Sequence, residues 1–88
     1  MNNLRAQIDV VDNQILDLLG KRMKAADGIG ALKKTKNVAV LQSKRWNEIL
    51  GKMVLEGEQH GLSEEFILKM FKAVHQESIN HQEKVING

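Results

Sequence analysis

The chain has 88 residues, a formal net charge of +2, and no cysteine, proline or tyrosine. This length fits a single domain, and the near-balance of charge gives no argument for a nucleic-acid partner. The absence of cysteine excludes disulfides and thiolate metal sites, and neither a membrane-length apolar run nor a signal-peptide core is present, so we expect a cytoplasmic protein with no membrane partner.

The first element in chain order is a long amphipathic helix. Apolar residues recur at steps of three and four from position 4 to position 32, which predicts a helix over about 3–36. Gly20, Gly28 and Gly30 each weaken it by about 1 kcal/mol relative to alanine. We keep one helix, with room for a bend near Gly28 and Gly30.

A second helix follows a connection at 37–41. It is predicted over about 42–60, and Gly61 suits its C-terminal cap. Its predicted buried face consists of Trp46, Ile49, Leu50, Met53 and Val54.

The third helix is predicted over about 63–86. Ser63 suits its N-cap, and Leu62 and Ile67 are spaced as a hydrophobic staple. Its apolar face continues through Phe71, Val74 and Val85. With Leu, Ile, Met, Lys and Glu dominating the composition, the fold class is all-α, with three helices per chain.

The predicted length of the first helix exceeds what one chain can cover. At 1.5 Å per residue it is about 50 Å long. A compact chain of this size has a radius of gyration of about 12 Å and is therefore only about 25 Å across. The apolar face therefore requires another surface. Periodicity and length together predict a homodimer whose long helices pack antiparallel.

Polar residues interrupt all three apolar faces. The face of the first helix steps by sevens through Arg22, and Lys33 follows about three turns later on nearly the same side. The third helix places Ser78 and Gln82 within its apolar face. The second helix places Arg45 one turn before Ile49 of its apolar face.

Two interpretations of this cluster remain open. Arg22 and Lys33 are edge residues whose charged heads stay in water, or the cluster binds a small anion. Buried cations are costly unless paired, and Asp9, Asp12 and Asp17 cannot all serve them. Taken one at a time, these residues favour the edge interpretation. Because polar residues interrupt all three helices together, an anion-binding site becomes as good an explanation as edge residues.

Four segments carry a family resemblance that covers essentially the whole chain. They are LRAQIDVVDNQILDLLGKRM at 4–23, IGALKK at 29–34, the region of Arg45, and GLSEEFILKMFKAVHQESINHQ at 61–82. Together they resemble the all-helical chorismate mutases. The resemblance implies an intertwined antiparallel homodimer and an isomerase that converts chorismate to prephenate, towards phenylalanine and tyrosine.

The resemblance also implies residue roles. Arg5 would enter the partner chain's site and bind one substrate carboxylate, and Arg22 would bind the other, with Ser78 nearby. Lys33 would contact a carboxylate and the ether oxygen, and Gln82 would donate to the same oxygen. Arg45 would border the site.

Two positions depart from the family pattern. The residue after the helix-two arginine is often a glutamate that holds the substrate hydroxyl, and here it is Trp46. The residue three positions before that arginine is often acidic, and here it is Gln42. Gln42 or a backbone group would then take over the hydroxyl, while Trp46 also suits a large buried anchor for the second helix.

The implied rearrangement is pericyclic and needs no nucleophile, general base, metal or cofactor. His60, His75 and His81 lack a metal-ligand spacing on a helix, and we expect each to be a surface residue. Catalysis would come from holding the dianion in its reactive shape and from stabilising charge on the ether oxygen.

Three alternatives stay open. One is an isochorismate pyruvate-lyase on the same scaffold, which needs the same cations. Another is a regulatory mutase-like domain of a bifunctional enzyme, such as a fusion with 3-deoxy-7-phosphoheptulonate synthase, excised here with an added Met1. The third is a bare dimerisation module in which Arg22 and Lys33 are edge residues.

Overall fold

The structure is a computed structural model and describes residues 2–36 and 43–88. The described residues form three α-helices and no strand, which confirms the predicted all-α class. The helices are α1 (Asn2–Lys36), α2 (Ser43–Gln59) and α3 (Glu64–Asn87). Their described ends lie within one residue of the predicted ones, while the predicted connection at 37–41 lies outside the described residues.

The turn between α2 and α3 is capped on both sides. The Gly61 N–H donates to the Glu58 carbonyl at 3.0 Å and the Leu62 N–H to the Gly57 carbonyl at 2.9 Å, a Schellman arrangement. Gly61 takes a φ of 77°, a left-handed conformation that glycine adopts without a Cβ penalty. The Ser63 side chain then accepts from the backbone N–H of Phe66 at 3.2 Å, as the sequence predicts for an N-cap.

The central helix is α3, which packs against both α1 and α2. Glycines allow the closest approaches on each side. A Cβ on Gly30 of α1 would lie 2.9 Å from the Cα of Gln82 and 3.1 Å from its carbonyl oxygen. A Cβ on Gly57 of α2 would lie 2.7 Å from the side chain of Ile67. These contacts fix where the three helices stand relative to one another.

The described chain buries few side chains fully. Ala26 and Ile67 are its buried hydrophobic residues, and Ser78 and Gln82 are buried as well. The predicted buried face of α2 is half-buried instead, from Trp46 to Val54. The same holds for Phe71, Val74 and Val85 of α3. Among the described helices α2 packs on α3 alone and α3 on both others, which is too little to enclose these faces.

The molecule is elongated, with principal extents of 52 × 25 × 14 Å and a radius of gyration of 15.6 Å. The N-terminal half of α1 extends beyond the other helices, and its apolar face remains uncovered in the single chain. We call this face, Leu4, Ile8, Val11, Ile15 and Leu18, the open stripe; its side chains are 48% to 62% exposed. In the described part of the chain, no helix is both long and apolar enough to span a membrane.

The close approach at Gly30 yields a stability prediction. We expect Gly30→Ala to be less stable than Gly28→Ala by about 1–3 kcal/mol, because its Cβ must displace the backbone of Gln82. Gly28 lies in the same helix with nothing within 4 Å of its Cβ position. Gly28→Ala should therefore gain up to about 1 kcal/mol from helix propensity alone. Urea unfolding at matched protein concentration measures both, and equal stabilities would contradict the packing described.

Candidate active site

A cavity of about 220 Å³ lies where α1, α2 and α3 meet. Its polar lining brings together five residues that the sequence predicts as site residues, with two aromatic rings beside them. The polar and aromatic lining residues are Arg22 and Lys33 from α1, Arg45 and Trp46 from α2, and His75, Ser78 and Gln82 from α3.

Helical spacing explains why these side chains converge. Arg22 and Lys33 are eleven residues apart, about three turns, and so share one face of α1. His75, Ser78 and Gln82 follow at steps of three and four along α3 and share its inward face. The cavity is therefore formed by the polar interruptions of three otherwise apolar faces.

Two hydrogen bonds connect α1 to α3 across the cavity wall. The Arg22 guanidinium donates to the Ser78 hydroxyl. The Lys33 ammonium donates to the Gln82 side-chain oxygen at 2.9 Å. Ser78 and Gln82 are only 6% and 8% exposed, so both acceptors are fixed by packing before any ligand enters.

The cavity is strongly cationic. Burial, and secondarily the charge of Arg45, lowers the pKa of Lys33 below its ordinary value. Neither Arg22 nor Arg45 forms an ion pair with any residue in 2–36 or 43–88. Arg22 and Lys33 are half-buried and Arg45 is exposed. Three cations that line one cavity suit an anionic ligand, because its negative charge offsets their mutual repulsion.

Three of the four acidic residues of α1 lie outside the cavity lining. Asp9, Asp12 and Asp17 are all exposed. Asp17 pairs at 3.1 Å with Lys21 one turn away, outside the cavity. This agrees with the sequence argument that these three carboxylates cannot all serve the cation cluster.

His75 is the site residue that the sequence analysis missed. Expected at the surface, it is half-buried and lines the cavity. Its ring stacks on Trp46 with centroids 3.8 Å apart and planes 11° from parallel. Its Nε2 atom is enclosed and has no hydrogen-bond partner among the described residues. Burial, then the charges of Arg22 and Lys33, lower the pKa of this imidazole.

A signal for His75 was present in the sequence. It lies three residues before Ser78 and seven before Gln82, and so shares their face of α3. The other two histidines differ from each other. His60 is exposed as expected, whereas His81 is half-buried, with its ring nitrogen 2.8 Å from a carboxylate oxygen of Asp27.

A family model described as chorismate mutase type II matches residues 4–83. The chain belongs to the chorismate mutase type II family. The predicted family is therefore confirmed.

The chain is similar to enzymes named bifunctional chorismate mutase/prephenate dehydratase in Buchnera aphidicola. The relative from subspecies Acyrthosiphon pisum is 28% identical over 82 residues, 93% of this chain and 21% of the relative. The relative from subspecies Schizaphis graminum is 28% identical over 85 residues, 97% of this chain and 22% of the relative. The chain thus spans about a fifth of the length of these relatives. Their second activity is a prephenate dehydratase, not the 3-deoxy-7-phosphoheptulonate synthase expected as a fusion partner.

Two residues that the sequence analysis assigned to the site are not among those that line the cavity. Arg5 is exposed near the start of α1, 17 residues before Arg22 and so about 25 Å from it along the helix. The Arg5 of the same chain cannot reach this cavity. Gln42 lies outside the described residues.

Trp46 is not the fully buried anchor of the second helix that the sequence suggested. It is half-buried, borders the cavity, and presents its ring to His75. Where the family pattern often has a carboxylate, this mutase domain therefore has an aromatic pair on the cavity wall.

Proposed function

We propose that this domain rearranges chorismate to prephenate in the cavity between its helices, as one half of a homodimer whose partner supplies Arg5. The observation that carries the proposal is the cluster of Arg22, Lys33 and Arg45 around the fixed Lys33–Gln82 hydrogen bond. A metabolic place in phenylalanine and tyrosine biosynthesis, and a cytoplasmic location, follow from the same proposal.

The cations suit the charge of chorismate, which carries two carboxylates. Guanidinium groups bind carboxylates through two parallel hydrogen bonds. We assign one carboxylate to Arg22, whose position is fixed by its bond to Ser78. Arg45 and Lys33 line the same space. Holding both ends of the dianion keeps it in the compact shape from which it reacts.

The reaction breaks one carbon–oxygen bond of the ether and forms one carbon–carbon bond within the same molecule. No proton or leaving group is exchanged. Negative charge develops on the ether oxygen as its bond stretches, and preorganised donors stabilise that charge. The Gln82 side-chain oxygen already accepts from Lys33, which directs its amide NH₂ elsewhere as a donor. Lys33 and Gln82 are the groups we assign to the ether oxygen.

The open stripe supports the dimer. It lies on the same face of α1 as Arg22 and Lys33, so one continuous face is exposed in its first half and lines the cavity in its second. An antiparallel copy of α1 covers the open stripe of its partner. In such an antiparallel pair, the position of the two-fold axis along α1 decides which residues lie side by side. If the axis passes anywhere between Gln14 and Leu19, each Arg5 lies beside the stretch from Arg22 to Lys33 of the other chain.

The longer architecture is also a proposal. The relatives are named as fusions of a mutase with a prephenate dehydratase. We infer that this domain operates joined to, or alongside, another enzyme of aromatic biosynthesis that consumes its product. Regulation through such a fusion would act on the mutase from outside residues 4–83.

The dimer proposal predicts that Ile15→Glu abolishes self-association, because it places a charge in the middle of the interface. Leu16→Glu is the matched control, since Leu16 is 67% exposed but rotated about 100° from the open stripe. Sedimentation at micromolar concentration should show a wild-type dimer, a dimeric Leu16 variant and a monomeric Ile15 variant. A monomeric wild type would refute the dimer.

The chemical proposal predicts that Lys33→Ala lowers kcat about a hundredfold to a thousandfold, as loss of one preorganised donor does. Lys34→Ala should retain near-normal turnover, because Lys34 is exposed and points away from the cavity. The assay follows loss of chorismate absorbance and identifies the product. Prephenate supports the mutase, whereas pyruvate from isochorismate would identify the lyase. Equal effects at the two lysines would remove Lys33 from the mechanism.

Shared sites predict complementation between two inactive variants. Arg5→Ala and Arg22→Ala homodimers should each lack activity. In their heterodimer, one site combines an intact Arg22 with the intact Arg5 of the other chain, so an equal mixture should recover about a quarter of wild-type activity. Subunit exchange under mild denaturant, followed by the chorismate assay, measures the recovery. No recovery despite verified heterodimers would place each site within one chain.

A further inference from the structure

We propose that His75 is a substrate-binding residue that accepts a hydrogen bond from the free ring hydroxyl of chorismate. This inference rests on the proposed mutase function and deepens it, because it names the residue that selects a substrate carrying that hydroxyl. It assigns a role to the stacked pair of His75 and Trp46 on the cavity wall.

The donor and acceptor balance of the cavity leads to His75. The three cations only donate hydrogen bonds, and the indole of Trp46 is a donor as well. The Ser78 hydroxyl and the Gln82 side-chain oxygen are already engaged as acceptors from α1. Among the described lining residues, His75 is the one whose side-chain acceptor is not engaged.

The ring of His75 has an unmet hydrogen-bonding group. Its Nε2 atom is enclosed without a partner among the described residues. Leaving such a group unpaired inside a protein is unfavourable, and its persistence calls for a physical reason. No water-sized group touches Nε2 in the structure as described, so a ligand hydroxyl reaches this atom only after a shift of the groups that enclose it. The hydroxyl then supplies the missing partner, and the neutral tautomer with its proton on Nδ1 leaves the acceptor lone pair on Nε2.

Trp46 fixes the orientation of this ring. The stack of the two rings, 3.8 Å apart and nearly parallel, restricts rotation of the imidazole. Because α2 carries Trp46 and α3 carries His75, the pair also sets the spacing of these helices at the cavity. The stack therefore fixes where the ring lies, while contact between Nε2 and a ligand hydroxyl needs a shift of the groups that enclose this atom.

The electrostatics keep His75 in the state that an acceptor requires. Arg22 and Lys33 face it from α1, Arg45 borders the same cavity from α2, and its own helix contributes the neutral Ser78 and Gln82. Burial and the first two of these charges hold its pKa below the ordinary value of 6.5. The imidazole is therefore neutral at pH 7 and retains one acceptor nitrogen. Protonation at lower pH would convert that acceptor into a donor.

The test pairs a residue change with a substrate change. His75→Phe keeps an aromatic ring against Trp46 but removes both nitrogens. The substrate change replaces the ring hydroxyl of chorismate with hydrogen. We expect either change alone to lower kcat/KM about ten- to hundredfold. The two together should lower kcat/KM no further than one alone, because they remove the same hydrogen bond.

A pH profile gives a second readout. The kcat/KM of the wild type should fall as pH drops through the lowered pKa of His75, since the protonated ring no longer accepts. His75→Gln keeps a neutral amide acceptor that does not titrate. It should retain more activity than His75→Phe and lose this acidic fall. His60→Phe, at an exposed position in the turn, controls for the loss of an imidazole elsewhere.

The outcomes separate this inference from the function on which it rests. No conversion of chorismate by the folded wild-type dimer overturns both. Conversion with additive penalties from the His75→Phe change and the missing hydroxyl overturns the role of His75 alone. A further result would overturn the role of His75: Gln42→Ala no longer prefers chorismate over the substrate that lacks the hydroxyl, while His75→Phe keeps that preference. Activity that rises at low pH would make His75 a cation for the carboxylates and would equally overturn it. Circular dichroism and the thermal midpoint verify that each variant is folded.

Discussion

The single apolar face of α1 must be buried along 35 residues, and the other features of the molecule follow from this requirement. Of the described helices, α3 is the one that packs on α1, and the N-terminal half of α1 lies beyond its reach. In the N-terminal half, large aliphatic side chains are about half exposed or more. Removing this apolar surface from water is strongly favourable. One continuous face thus lines the cavity at its C-terminal end and is exposed at its N-terminal end.

The same division explains how little of the chain is buried by its own helices. Two buried hydrophobic residues are found in the described part, beside two buried polar ones. Ser78 and Gln82 occupy positions on α3 where aliphatic side chains would add to the core. Their burial is compensated by hydrogen bonds from Arg22 and Lys33, because a buried polar group without a partner would be destabilising. Chains this small commonly gain the stability that a small core does not supply by associating, which is the role proposed for the open stripe.

The cavity combines three cations with an aromatic pair and, among its described lining residues, has no carboxylate. A glutamate at position 46 would partly neutralise that charge. With Trp46 there, the positive charge of the wall is not offset by a carboxylate at this position, and burial together with the charges of Arg22 and Lys33 lowers the pKa of the neighbouring His75. The arrangement favours a dianionic ligand and leaves recognition of an uncharged hydroxyl to neutral groups. Electrostatic attraction and hydrogen-bond selection are in this way divided between different residues.

The sequence by itself determined the three helices, their caps at Gly61 and Ser63, the length of α1, and the set of polar residues that interrupt the apolar faces. Periodicity and capping are local properties, so a single chain specifies them without reference to its neighbours. Arg22, Lys33, Ser78 and Gln82 were identifiable because they break an otherwise regular pattern.

The tertiary structure alone decided which side chains meet across helices. It placed Gly30 against the backbone of Gln82 and left the face of α2 half-buried. It also stacked His75 on Trp46. A helical pattern states which face a residue occupies, but not what stands opposite. A histidine on a half-exposed face looks the same whether water or an aromatic ring lies beyond it, and only the packing of α2 on α3 distinguishes the two.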